Sequence, residues 1–369
     1  MTNRDRIKAV LNYEKYDRMP VIAFGYWHET LEKWHSEGHI TLEESLNYRD
    51  NNLEDKSIMK KLGFDFNWNP AYWSKTLLFP EFETKILEKL PDDKVKKLNY
   101  NGVIVIEKEG LVTMPHEVGH SLTDRKSWEE LYLPKLQYSA ERTDFAWYEQ
   151  FRDDANRENP LGLFCGSLMG NLRNLTGVEG LSYIYCDDED LLKEMVNTIG
   201  DVCYKVTENL LKTGIKFDYA HFWEDIAFKN GPLVIPSMFD ELAGPHYKKI
   251  TKLLKEHGIN IVSVDCDGMI DSLIPTWVEN GVNTMFPIEV GTWNAYLTPW
   301  REQYGKEIRG VGGMNKNVFA RDYKAIDAEI ERLKPIVELG GYIPCPDHRI
   351  PPDAIWENVQ YYCEKMKEL

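Results

Sequence analysis

From residue 160 to the end, the chain keeps one rhythm: a short apolar run, a polar turn, then a longer amphipathic stretch. Gly162-Leu-Phe-Cys-Gly166 reads as a strand and 188–213 as a long helix. Phe217-Asp-Tyr-Ala-His-Phe-Trp223 precedes a helix at 238–257, and Ile259-Asn-Ile-Val-Ser-Val264 precedes one at Ile270–Asn280. Thr284-Met-Phe-Pro-Ile288, Ile308-Arg-Gly-Val311 and Tyr342-Ile343 open three more units, with helices at 294–304, 322–338 and 353–367. Short strands alternating with such helices make parallel βα units, because parallel neighbours need a crossover long enough to hold a helix. At least six units follow one another, and no glycine-rich phosphate fingerprint follows the first strand, Met19-Pro-Val-Ile-Ala-Phe24. That combination favours a closed (β/α)8 TIM barrel over a doubly wound sheet.

The N-terminal half departs from the rhythm. Residues 3–12 form a short amphipathic helix and 29–62 a charged helical stretch, together an N-terminal helical extension. Val103-Ile-Val-Ile106 and Leu111-Val-Thr-Met114 flank Glu107-Lys-Glu-Gly110, which predicts a hairpin insertion at about 101–115, a lid or docking element. No linker or repeat interrupts the sequence, so residues 1–369 are expected to form one domain.

Composition narrows the function classes. Sixty acidic residues against 44 basic ones give a net charge of −16, which disfavours nucleic acid and anionic membrane surfaces as partners. The charged N-terminus lacks the apolar core of a secretory signal, and no apolar stretch is long enough to span a bilayer. The six cysteines include no CxxC pair, the pattern of reduced thiols in the cytoplasm. Eleven Trp and 20 Tyr exceed what a core needs. Clusters such as Tyr26-Trp27-His28, Phe66-Asn67-Trp68-Asn69 and Ala71-Tyr72-Trp73 are either amphipathic surface packing or the wall of a flat pocket.

In a barrel of this kind the chemistry sits at the C-terminal ends of the strands. Those ends read His221-Phe-Trp-Glu-Asp225, Asp265-Cys-Asp-Gly268, Pro287-Ile-Glu289, Gly312-Gly-Met-Asn-Lys316 and Pro344-Cys-Pro-Asp-His348. One acidic loop residue is often only a helix cap. Repeated acids and histidines in one mouth repel unless a cation compensates, some carboxyls stay protonated, or Arg309, Lys316 and Arg349 pair with them. A metal held by Asp265, Asp267 and His348, with Cys266 and Cys345 as alternative ligands or as small buried hydrophobes, is one resolution; zinc with an open position suits such a set.

These residues carry a resemblance. Arg4-Asp-Arg6, Leu11-Asn12 and Asp17-Arg-Met-Pro20 look like the N-terminal signature of the uroporphyrinogen decarboxylase superfamily. Trp223-Glu-Asp, Val264-Asp-Cys-Asp-Gly268, Pro287-Ile-Glu289, Gly312-Gly313 and Gly340-Gly-Tyr-Ile-Pro-Cys-Pro-Asp-His348 resemble its later strand ends. The likeness covers nearly the whole chain, strongest from about 215 onward and loose between 65 and 160. True decarboxylases carry an arginine-rich run after the first strand, whereas Phe24-Gly-Tyr-Trp-His-Glu29 here holds no arginine to grip a polycarboxylate. The corrinoid-dependent methyltransferase branch is the nearer likeness. Its members bind zinc through a His-x-Cys pair and a later Cys; Asp265, Asp267 and His348 stand in those places, a change from soft to hard ligands that favours an oxygen-bound methyl donor.

The resemblance therefore implies the first methyltransferase of an O-demethylase system. A methyl group would pass from a methoxylated aromatic substrate to the cob(I)alamin of a separate corrinoid protein docked over the mouth. Phe24, Tyr26, Trp27, His28, Trp68 and His221 would line the substrate; Glu224, Glu289 and His348 would orient it, ligate metal or donate the proton. A homodimer is compatible with the sequence. The rivals are a decarboxylase of a small carboxylic acid and a non-catalytic binding subunit on the same scaffold.

Overall fold

The computed structural model describes residues 1–108 and 115–369. Eight parallel strands form the barrel wall: β1 Ile22–Ala23, β2 Phe66–Asn67, β3 Gly162–Gly166, β4 Tyr219–Trp223, β5 Val262–Asp265, β6 Thr284–Ile288, β7 Arg309–Met314 and β8 Tyr342–Pro346. β3 to β8 pair in chain order as one parallel sheet, and β1 pairs with β2. The ring closes from β8 to β1 through a parallel bridge between Tyr26 and Ile350, where Trp27 N–H donates to Ile350 O at 3.2 Å and Ile350 N–H to Gly25 O at 3.0 Å. Between β2 and β3 a side chain of β4 makes the link: the Tyr219 ring passes against Gly162 of β3 and stacks on Trp68 at 4.5 Å, its hydroxyl donating to the Trp68 carbonyl.

The long strands are buried residue after residue, as strands covered on both faces must be. The helices outside follow local rules. Glu189–Lys212 starts at Asp188, whose carboxylate accepts from Leu191 N–H, and buries Leu192, Met195, Val196, Ile199, Val206 and Leu210 along one stripe. Tyr323–Glu338 starts in the same way at Asp322. Asn3–Leu11 opens with a Thr2–Asp5 capping box and docks against the barrel base, where Arg4 reaches Asp218 at 2.6 Å.

The N-terminal half is more elaborate than its pattern suggests. The 29–62 stretch is three helices, His28–Ser36, Leu42–Asn47 and Leu53–Leu62. A kinked helix, Met169–Asp187, precedes Glu189–Lys212, with non-helical Gly177 inside it. The expected hairpin is part of a four-stranded antiparallel sheet formed by Lys85–Lys89, Lys94–Leu98, Val103–Lys108 and His116–His120. The return strand expected at 111–114 lies outside the described residues. Lys85–Lys89 and Lys94–Leu98 escape sequence reading because lysine and glutamate interrupt their apolar residues; Lys85–Lys89 is an exposed edge, where lysines block further pairing.

Candidate active site at the barrel mouth

Strand register fixes what shares a layer. Ser263 lies beside His221, Asp265 beside Trp223, and Phe286 beside Asp265. Alternate residues share a face, so His221 and Trp223 point the same way and Glu224 the other. The mouth has an aromatic floor: Phe24 meets Phe286 at 4.5 Å, and Phe286 faces His221 at 6.0 Å and Trp68 at 6.4 Å. Phe24 also faces His348 at 5.3 Å, while Trp27 stacks on the His348 ring at 5.4 Å with 36% of its own surface exposed.

Over this floor stand Asp225, Asp265, Asp267 and Glu289 with His348. His348 Nε2 lies 3.3 Å from Asp267 Oδ2, while Asp267 Oδ1 is buried without a hydrogen-bond partner among the described residues. Burial pushes the Asp265 carboxyl well above the ordinary range, and Asp267 and Asp225 push it further. Asp265 is 7% exposed, and among the described residues no hydrogen-bond donor reaches its carboxyl. Burial and Asp267 also raise Asp225, against the pull of Arg173 at 3.0 Å. Glu289 is raised by burial and Asp267, although Gly268 N–H at 2.5 Å and the Thr292 hydroxyl at 2.9 Å donate to it. Crowding of like charges thus shifts Asp225, Asp265 and Glu289 toward the protonated form, the form able to donate. The Asp267–Gly268 turn needs its glycine: φ is +91°, and a Cβ would come 2.7 Å from the Ala227 carbonyl carbon.

Not every expected residue reaches the mouth. Glu224, expected to act on substrate, is fully buried and turned outward, against the start of helix Met169–Asp187. It accepts from the N–H groups of Leu168, Met169 and Gly170 at 2.8, 3.0 and 2.7 Å, from the Ser167 hydroxyl at 3.2 Å and from the Tyr247 hydroxyl. That is the place of an anion at a helix N-terminus, where unpaired N–H groups need an acceptor. Tyr26 packs behind the mouth against Trp34 and Tyr48, and His28 starts a helix with Nε2 3.3 Å from Glu32. Cys266 accepts from Ile226 N–H at 3.3 Å; Cys266 and Cys345 are both buried, with thiols raised by burial. Asp265, Asp267 and His348 do come together, but among the described residues no three His, Cys, Asp or Glu side chains form a group fit to hold a metal. The donor set does not fit a three-ligand zinc site as it stands, and no step below is routed through one.

The cations around the mouth are engaged. Arg349 binds Asp50 at 2.6 Å, Arg173 binds Asp225, and Lys316 Nζ lies 3.9 Å from Asp347. Buried Asp347 also accepts from Gly291 N–H at 2.6 Å and Lys316 N–H at 3.1 Å, tying the loops after β6 and β7 to the end of β8. Sequence reading missed the Asp50–Arg349 pair, which joins residues 299 apart and carries no local signal. It also missed Phe286, although its parity on β6 pointed inward. Beside the mouth lies a cavity of about 310 Å³ lined by Trp73, Phe164, Asn171 and Trp223 from the barrel and by Tyr100 and Asn101 from the turn of the inserted sheet. A larger cavity, about 780 Å³, runs along the β2–β3 seam past Asp65, Arg157 and Gly162, away from the acidic cluster.

Among solved structures, the chain is similar to a methyltransferase from Methanosarcina mazei, with 15% identity and a TM-score of 0.60 over 100% of this chain and 99% of that one. It is also similar to a candidate vitamin-B12 independent methionine synthase from Listeria monocytogenes, with 12% identity and a TM-score of 0.39 over 96% and 98% of the two chains. No curated protein matches it by sequence. No described helix is long and apolar enough to cross a membrane. The sequence pattern of the uroporphyrinogen decarboxylase (URO-D) family matches residues 113–369, well over half the chain. With the barrel and the acid-lined strand ends in place, that match assigns the chain to the uroporphyrinogen decarboxylase (URO-D) family.

Proposed function

We propose that the protein is a methyltransferase moving a methyl group from an aromatic methyl ether to the cob(I)alamin of a corrinoid protein docked over the mouth. The observation that carries this reading is Asp265, a nearly buried carboxyl without a hydrogen-bond donor, raised toward its protonated form beside an aromatic floor. An aryl ether settles over Phe24, above the fully buried Phe286 and Trp68, with its oxygen toward Asp265. Reduced cobalt, the methyl acceptor, supplies the electron pair for the new bond. The C–O bond breaks with its electrons on oxygen, and Asp265 delivers the proton that makes the leaving group a neutral phenol. Asp267 and Glu289 keep that proton on Asp265 until it is needed, and His348, held between Trp27 and Phe24, borders the donor.

A polycarboxylate substrate is disfavoured because Arg349 and Arg173 already hold acids of the chain. The same pairing weighs against decarboxylation of a smaller acid, which needs a cation for the substrate carboxylate. The test is anaerobic methyl transfer from 2-methoxyphenol to cob(I)alamin, followed by the cobalamin spectrum, with zinc measured on the same sample. Transfer at unchanged rate in metal-stripped protein supports proton donation by Asp265. No transfer from any aryl ether, with carbon dioxide released from a small acid instead, would overturn the reading.

A further inference from the structure

His221 has one ring nitrogen satisfied and one bare. Its Nδ1 lies 2.7 Å from Ser263 Oγ, and the Ser263 hydroxyl donates to the Ala220 carbonyl at 3.2 Å. A carbonyl only accepts, so the serine proton is committed there and the serine oxygen accepts from His221 Nδ1–H. Burial lowers the His221 pKa to about 3, so the ring is neutral. Its Nε2 then carries a free lone pair: it is buried, and no donor among the described residues reaches it. A buried acceptor left without a donor costs stability, and such groups persist where a ligand completes them.

One side chain touches both the His221 ring and open space. Trp73 meets the His221 ring edge-on at 6.4 Å and stacks on Phe164 at 4.0 Å, and both Trp73 and Phe164 line the 310 Å³ cavity beside the mouth. Trp73 is 44% exposed, and among the described residues no hydrogen bond holds its indole. Trp73 therefore stands against the His221 ring on one side and the cavity on the other.

We propose that His221 selects the methyl donor, its Nε2 accepting the proton of a free hydroxyl on the methoxyarene once Trp73 turns aside. This rests on the aryl-ether reading above and narrows it: the site takes methoxyarenes that still carry a hydroxyl and discriminates against their fully methylated counterparts. Ser263 acts through His221, by fixing which nitrogen is bare.

The matched probes are 2-methoxyphenol and 1,2-dimethoxybenzene, which differ by one hydroxyl. Quenching of tryptophan fluorescence reads their binding, and cob(I)alamin methylation reads their transfer. The wild-type protein is expected to bind the phenol about tenfold more tightly. His221→Phe, which keeps a ring but no acceptor, brings the ratio to about one. Ser263→Ala lets the imidazole take either tautomer and leaves a ratio of about three. Equal binding of both probes by the wild type overturns the proposal, as does an unchanged ratio in His221→Phe; a water bridging His221 to the equally unpartnered Trp68 Nε1 would give that result. If His221→Phe does not fold, an unchanged ratio in Ser263→Ala overturns it. Methyl transfer from both ethers without preference removes the His221 role alone. A preference in binding that His221→Phe abolishes, with methyl transfer from neither ether, removes the aryl-ether reading alone.

Discussion

Asp218 and Asp265 stand at opposite ends of neighbouring strands, one just before β4 and the other at the end of β5, and both are almost fully buried. Asp218 is saturated: Arg4 and Arg157 bind it at 2.6 and 2.9 Å, Lys8 lies at 3.2 Å and Leu161 N–H donates at 2.9 Å. Asp265 has Asp267, Asp225 and Glu289 as its charged neighbours, Arg349 as its one favourable influence among the main ones, and no hydrogen bond to its carboxyl among the described residues. The same side chain is a clamp at the bottom of the barrel and an acid without donors, among the described residues, at the top. The difference lies in where cations were placed, and it follows the general division of this fold between a stabilising lower face and a reactive upper one.

The sharpest way to break that contrast is Asp265→Asn. The shape is kept, the transferable proton is lost and a mutually repelling acid is removed. The turnover of methyl transfer is expected to fall about 10²–10⁴-fold, while the urea midpoint stays level or rises. A variant with normal turnover would place proton donation elsewhere. The converse change, Asp218→Asn, takes the buried partner from Arg4 and Arg157 and leaves both on the more exposed Asp154, at 2.7 and 3.0 Å. Stability should fall by about 3–5 kcal/mol in urea unfolding, with turnover per folded molecule retained. If Asp218→Asn lowered turnover and left stability alone, the two ends of the barrel would not divide their work in this way.

The upper end was largely readable in the sequence because the rhythm of buried runs locates strand ends, and Asp265, Asp267, Glu289 and His348 sit there. Direction was harder. Glu224 follows Trp223, and Cys266 follows Asp265, so both face away from the side that Trp223 and Asp265 share; the alternation of strand side chains carried that signal, and mere proximity to a strand end hid it. The lower end was not readable. Arg4, Arg157 and Asp218 come from three distant segments, and nothing local marks them as partners. Nor did β1 and β2 declare their extent, since each contributes only two paired residues and their neighbours are held by side chains and single bridges.

A third site lies between these extremes. Asp55 is fully buried; it accepts from Asn51 N–H at 2.7 Å and from Asn67 at 3.1 Å through one oxygen, while the other oxygen has no partner among the described residues. Burial raises its pKa from 3.8 to about 7, with Asp50 adding to the rise. The folded state therefore keeps a proton that the unfolded chain releases above the ordinary value. Stability falls as pH rises through that window and levels off above the folded value, a loss of about 2–4 kcal/mol. Asp55→Asn can keep its accepting oxygen in place and set the amide where no donor is needed. Its unfolding midpoint should therefore stay flatter over the same pH range than that of the wild type, and parallel curves would show that Asp55 is ionised in the fold.

Glu224→Gln gives the smallest change and sharpens the contrast at the upper end itself. Glu224 and Asp265 are both buried carboxyls near the mouth, and Asp265 C=O accepts the Glu224 N–H at 2.8 Å. Yet among the described residues Glu224 has five donors on its carboxyl and Asp265 has none. A glutamine offers one accepting oxygen to the helix N-terminus and presses an N–H₂ group against the other donors. Stability should drop by about 1.5–3 kcal/mol, and turnover by much less than in Asp265→Asn. The chemistry would then belong to the acid without donors, and the acid with five would hold the helix start in place. Equal losses of turnover in the two variants, with Glu224→Gln still fully folded, would make Glu224 part of the reaction and erase the distinction that strand parity draws between them.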